Sequence, residues 1–179
     1  MPRLTEINSH DALFVIDPQH AFVSPFNEGL WDKIKEDLFP RFAYRAFTQF
    51  LNSPQSPVWQ SKGWQGCQEG SEESKILWET GPGIRQVVVF RKTGFSGVSN
   101  EFLQWRQREE IQRVFLCGGD TDLCVMGTLL SMIQHQIPVF LLADYCFSAA
   151  GEEMHRYAVI QAKRFLGSHG VLHGPALAG

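Results

Sequence analysis

Residues Val114–Val125 read VFLCGGDTDLCV: an apolar run, two glycines, a polar turn, and then apolar residues opening a helical pattern. A continuous run rich in Val, Leu and Phe is the mark of a strand covered on both faces. Similar runs lie at Ala12–Ile16, Val87–Phe90 and Val139–Ala143, with a weaker one at Pro57–Trp59. Between them the spacing predicts helices over Trp31–Leu51 (kinked or divided at Pro40), Ser99–Glu110, Leu123–Gln136 and Glu152–Leu166, the last stopped by Gly167. Strands alternating with helices predict an α/β fold, a three-layer doubly wound sandwich with a mostly parallel central sheet. A length of 179 residues suits one domain over 1–179.

Composition narrows the function. Sixteen Lys and Arg against nineteen Asp and Glu give a net charge of −3, which argues against a nucleic-acid binder. No apolar run approaches the ~18 residues of a membrane span, and MPRLTEINSH lacks a signal-peptide core. The expectation is a soluble cytoplasmic protein. The four cysteines, Cys67, Cys117, Cys124 and Cys146, form no C-x-x-C pair and no zinc-finger spacing, so they read as reduced thiols. Asn52–Pro82, with SPQSP, KGWQG and QEGSEES, reads as a long loop that either shapes a site or is a surface excursion.

In an open α/β sheet, ligands bind beyond the carboxyl ends of the strands. There this sequence places Asp17 after the first strand, Arg91-Lys92 at the end of the third, and Gly118-Gly119-Asp120-Thr121-Asp122-Leu123-Cys124 after the fourth. A thiol becomes nucleophilic when a cation and a helix N-terminus favour its thiolate. Lys92 can supply the cation, and Asp17 can take the thiol proton and return it to a leaving amine. The Gly-Gly turn can aim backbone N–H groups into the crevice as an oxyanion hole. Each residue alone has an ordinary alternative: a turn-capping Asp, a solvated Lys, a core Cys. GGDTD is not the G-x-G-x-x-G of a dinucleotide site.

Four segments, in order, resemble the isochorismatase-like cysteine hydrolases. They are LFVIDPQHAF with a D-x-Q-x-x-F pattern (Asp17, Gln19, Phe22), VVVFRKTGFSG, VFLCGGDTDLCV with T-D-x-C-V, and ADYCFS with Asp144 and Ser148. The resemblance implies that family's fold and a catalytic triad of Asp17, Lys92 and Cys124. It also implies a cis peptide at Gly119-Asp120 and an oxyanion hole from the N–H groups of Asp120 and Cys124. Gln19, Phe22, Trp59, Trp64 and Phe95 become candidate substrate contacts. The family's nicotinamidases carry a metal site on an Asp-x-His motif and a further His, whereas VWQSKGWQGCQEG has no His; no metal and no cofactor are expected. His135, His155, His169 and His173 are assigned to no metal. Isochorismatases proper lack the nucleophilic Cys, which disfavours vinyl-ether hydrolysis here. Gly119 and Asp120 depart from the family's usual branched aliphatic and smaller residue, which bears on the oxyanion-hole geometry.

The expected function is a metal-independent cysteine hydrolase that cleaves a C–N bond of a small amide, ureide or carbamoyl compound through a thioester. Its partner is a small-molecule substrate, and the resemblance implies a homo-oligomer, a dimer or tetramer. Two rival readings are a non-catalytic scaffold of the same fold and a redox-sensing protein with Cys146 or Cys117 as resolving thiol.

Overall fold

The computed structural model describes residues 7–78 and 87–174. Six strands form one sheet: β1 (Asp11–Ile16), β2 (Tyr44–Phe50), β3 (Val87–Lys92), β4 (Arg113–Gly119), β5 (Val139–Phe147) and β6 (Val171–Leu172). Their spatial order is β3-β2-β1-β4-β5-β6, and every adjacent pair is parallel. The chain winds outward from β1 to β3, then returns to lay β4 on the other side of β1. The order therefore reverses between β1 and β4, where open sheets of this kind leave a crevice.

Helices α1 (Glu28–Lys33), α2 (Pro57–Lys62), α3 (Asn100–Arg108), α4 (Met126–Gln134) and α5 (Glu152–Leu166) complete the described elements together with short tighter and wider turns. Side chains alternate across a strand, and the register pairs Phe14 with Ala46 but Val15 with Phe47. Phe14 and Phe47 thus lie on opposite faces. Phe14 stacks on Phe102 of α3 at 4.9 Å between ring centroids, while Phe47 meets Phe39 and Trp78 at 5.7 and 5.2 Å. All six residues of β1 are buried, as a central strand of a doubly covered sheet requires. No helix among the described residues is long and apolar enough to cross a membrane.

The sequence expectation for Trp31–Leu51 and Pro57–Trp59 is corrected. Helix ends early: α1 passes through a π turn (Ile34–Leu38) and a 3-10 turn (Phe39–Arg41) at Pro40, and the chain then enters β2. Tyr44-Arg45-Ala46-Phe47-Thr48-Gln49-Phe50 is aromatic-rich, and its apolar residues recur often enough to satisfy either a helical or a strand period. Pairing with both β1 and β3 decides it. Pro57–Lys62 is instead a short helix, with Pro57 in its first turn, the Ser56 hydroxyl accepting from Trp59 N, and Gly63 closing it at φ +64°. The short edge strand β6 was not expected, because two residues carry too little pattern to be seen. Of the 52–82 excursion, residues 79–82 lie outside the described residues.

Candidate active site

Three strand ends converge at the β1/β4 crevice. Asp17 follows β1 with φ +51°, a left-handed conformation that Asp tolerates. Its N–H donates to the Thr48 hydroxyl at 2.8 Å, and that hydroxyl donates back to Asp17 Oδ1 at 2.5 Å. The other oxygen, Oδ2, lies 2.9 Å from Lys92 Nζ. Lys92 ends β3, and its ammonium also donates to Cys124 Sγ at 3.2 Å and to the Gly94 carbonyl at 3.0 Å. The ammonium thus has two hydrogen-bond acceptors and one ion-pair partner. The Phe50 ring covers the same nitrogen at 5.0 Å.

Cys124 sits on the π turn Thr121–Val125 that leads into α4. Two features of β4 bring it there. Gly118 has φ +106°, and a Cβ on it would stand 2.3 Å from the Ile16 carbonyl oxygen, so the close approach of β4 to β1 admits only glycine. The next bond, Gly119–Asp120, is cis. A Cβ on Gly119 would meet the Phe147 ring at 2.3 Å; the ring fills the volume that a branched side chain would take, which accounts for the glycine at this position. Beyond the turn, the N–H groups of Leu123 and Val125 both return to the Asp120 carbonyl, and Thr121 Oγ1 is 2.8 Å from His155 Nδ1 on α5. The Asp120 carboxylate accepts from Ala149 N at 2.9 Å.

The electrostatics correct the expectation of a resting thiolate. Burial first, and the Asp17 charge second, push the Cys124 thiol up to about 12; Lys92 pulls it down but does not prevail. Burial alone would lower Lys92, but Asp17 and Cys124 facing it hold the amine above its ordinary value. The resting site is therefore a buried Asp17–Lys92 ion pair beside a neutral thiol. Burial pushes the Asp120 carboxyl up against the Ala149 N–H, with Asp122 and Asp17 adding to the rise and the Lys62 charge opposing it.

A cavity of about 400 Å³ opens on this cluster. Asp17, Cys124, Gly119 and Asp120 line one part, and Phe22, Phe50, Trp64, Phe95 and Val58 form apolar walls. Of the candidate substrate contacts, Phe22, Trp64 and Phe95 line the cavity. Trp59 does not line it: α2 turns Val58 and Lys62, one helical turn apart, toward the cavity instead. Gln19 is fully buried and has a different task. Its side chain donates to the carbonyls of Phe50 and Ser74 at 3.0 and 2.9 Å and accepts from Phe50 N at 2.7 Å, tying β1, β2 and the excursion together. Sequence reasoning missed Thr48, Phe50, Val58, Lys62 and Phe147. Correct placement of β2 would have drawn attention to Thr48 and Phe50.

Cys117 and Cys146, the thiols that a redox relay would use, are buried, and burial pushes both far above the ordinary thiol range. Asp144 is paired with His173 Nδ1 at 2.7 Å.

The isochorismatase domain model matches residues 11–168. The chain belongs to the isochorismatase family of hydrolases. A search of curated proteins finds no match. Among solved structures, the chain is similar to an isochorismatase-like hydrolase from Alkaliphilus metalliredigens (22% identity, TM-score 0.76, covering 91% of this chain and 94% of that one). It is also similar to N-carbamoylsarcosine amidase from Thermoplasma acidophilum (19%, 0.73, 93% and 96%), and to the pyrazinamidase of Pyrococcus horikoshii in complex with zinc (21%, 0.68, 92% and 98%). At these identities the likeness establishes the fold. A zinc site does not fit the described residues of this isochorismatase-family chain. Among the described residues no three His, Cys, Asp or Glu side chains converge. The stretch after β2, residues 51–78, has no His. Asn52 there is committed to the Trp64 carbonyl at 2.7 Å and to the Ser56 hydroxyl.

Proposed function

We propose that this isochorismatase-family chain is a cysteine hydrolase that cleaves a C–N bond of a small amide, ureide or carbamoyl compound through a thioester. The supporting observation is the Lys92 ammonium, which holds the Asp17 carboxylate and the Cys124 sulfur together at the wall of a cavity of about 400 Å³.

The neutral resting thiol sets the order of events. Asp17, held by the same Lys92 ammonium as the thiol, accepts its proton as the sulfur attacks the substrate carbonyl, so the thiolate forms only when it has an electrophile. Lys92 steadies the growing negative charge on sulfur. The carbonyl oxygen becomes an oxyanion, stabilised by the N–H groups of Asp120 and Cys124, each such donor worth about 2.7–4 kcal/mol. The tetrahedral adduct collapses by expelling nitrogen, which takes the proton from Asp17 and leaves as ammonia or an amine. Water then attacks the thioester and gives a proton to Asp17. The second collapse releases the acid, and Asp17 returns the proton to the sulfur. No step passes through a metal.

We propose further that the chain acts as a single domain, in the cytoplasm, and as a homo-oligomer. Self-association is supported by Phe26, 99% exposed, and by Tyr157, Ile160 and Phe165 exposed on α5; sedimentation should give a mass of two or four chains, and a 20.3 kDa particle would refute it.

The test of the chemistry is ammonia release from a panel of amides, ureides and carbamoyl compounds. One or more should be turned over, and Cys124→Ala should lower that turnover on the order of 10⁴-fold or more while melting as the native protein does. Mass spectrometry of a quenched reaction should find the acyl group on Cys124. A panel with no turnover, or turnover that survives Cys124→Ala, would sink the proposal.

A further inference from the structure

The chemistry accounts for one part of the cavity and leaves a charged group elsewhere in its lining. The charged side chains that line the cavity are Asp17, Asp120 and Lys62. Asp17 is answered by Lys92. Asp120 accepts from Ala149 N, and the Lys62 charge acts on it without forming an ion pair. Among the described residues the Lys62 ammonium has no ion-pair or hydrogen-bond partner. It is exposed, yet α2 aims it at the cavity on the same face as Val58, and Gly63 ends the helix directly after it. The remaining lining is apolar and largely aromatic, with Phe22, Phe50, Trp64 and Phe95. About 400 Å³ holds far more than urea or formamide.

We infer that Lys62 forms a carboxylate subsite, and that the substrate is an amide or ureide whose apolar body carries a carboxylate. The inference rests on the proposed hydrolysis at Cys124 for the reacting end of that molecule. A cation with no ion-pair partner among the described residues, beside aromatic walls, is suited to an anion that loses part of its water on entry. One ammonium, without an arginine fork, matches a single negative charge rather than a phosphate dianion. The apolar walls take the body of the molecule, and Cys124 faces its carbonyl. Lys62 is a specificity residue in this scheme and takes no part in bond breaking.

Two probes of equal body test it: N-carbamoyl-phenylalanine, and N-carbamoyl-2-phenylethylamine, which lacks the carboxylate. Calorimetry on Cys124→Ala separates binding from turnover. The acid should bind about tenfold or more tightly than the neutral probe, the range of a hydrogen bond to a charged group at its weaker, solvated end. Lys62→Gln in the same background should erase that preference, and Lys62→Arg should keep it. In the enzyme with Cys124 intact, Lys62→Gln should raise KM for the acid about tenfold, with the loss falling on KM more than on kcat. Equal affinity for the two probes, binding of neither, or a preference that survives Lys62→Gln overturns the subsite. A preference that depends on Lys62 with no ammonia from either probe or from the wider panel upholds the subsite and refutes the hydrolysis. Ammonia from both probes with equal KM does the reverse.

Discussion

Two regions meet at the cavity and are held together in different ways. The cradle, made of the ends of β1, β3 and β4, rests on continuous parallel ladders, and its lysine is held by two hydrogen bonds and an ion pair. The outer wall, residues 51–78, is tied to the rest through the isolated bridge Gln19↔Ile76, a few backbone bonds such as Leu77 N to the Pro18 carbonyl, and the Gln19 side chain, while the bridge Asn52↔Gln68 and the bond from Asn52 to the Trp64 carbonyl hold it to itself. From that wall come Val58, Lys62 and Trp64. The contrast separates chemistry from selectivity. A change in the wall alters which molecule is held, whereas a change in the cradle alters whether anything happens to it.

The largest effect should come from splitting the cradle's ion pair. The Lys92 and Asp17 side chains are 5% and 1% exposed. Lys92→Met leaves a buried carboxylate with no counter-ion, a loss of about 3–5 kcal/mol in urea unfolding along with activity. The double variant Asp17→Asn/Lys92→Met should recover most of the stability and none of the turnover. If the double variant is no more stable than Lys92→Met, the two groups are not a coupled pair.

The next effect concerns the thiol. With Cys124 pushed up to about 12, its alkylation by iodoacetamide should accelerate about tenfold per pH unit from neutrality through pH 10, without the plateau of an ordinary thiol near 8.5–9. Asp17 is among the causes of that upward shift, so Asp17→Asn should lower the thiol pKa and speed alkylation at pH 8 even as it abolishes turnover. If both rates fall together, Asp17 acts on the sulfur by position alone.

The wall should respond more gently. Gln19→Ala removes three hydrogen bonds that join β1, β2 and Ser74, an expected cost of about 1–3 kcal/mol for groups left buried. KM should rise with kcat little changed, because Asp17, Lys92 and Cys124 keep their own contacts. A collapse of kcat at constant KM would mean that the wall and the cradle are one unit.

The same division governs what the sequence revealed. Asp17, Lys92 and Cys124 stand at the ends of long apolar runs, and a parallel sheet gathers such ends into one crevice, so they were legible before any coordinates. Cavity-lining Phe22, Trp64 and Phe95 were legible only through resemblance. The helical spacing of Ile34, Leu38, Phe47 and Leu51 masks β2, and Thr48 with it. Gln19 was assigned to substrate because its buried tie to Phe50 joins residues far apart in the chain. Lys62 was invisible for a related reason: its place at the cavity depends on α2, a helix of six residues whose start is set by Ser56 and Pro57 rather than by periodicity.

That cap gives the smallest and sharpest probe of the comparison. Ser56 Oγ accepts from Trp59 N at 3.4 Å, a long contact, and donates to Asn52, which in turn holds the Trp64 carbonyl. Ser56→Ala should cost about 1 kcal/mol, within the usual range for an N-cap, because Pro57 and Gly63 still bound the helix. The consequence should reach Val58, Lys62 and Trp64 together and leave the cradle alone. A modest rise in KM, smaller than that of Gln19→Ala, should accompany an unchanged rate of Cys124 alkylation. Altered alkylation would show that α2 governs the sulfur's surroundings, and the separation between the two regions would not hold.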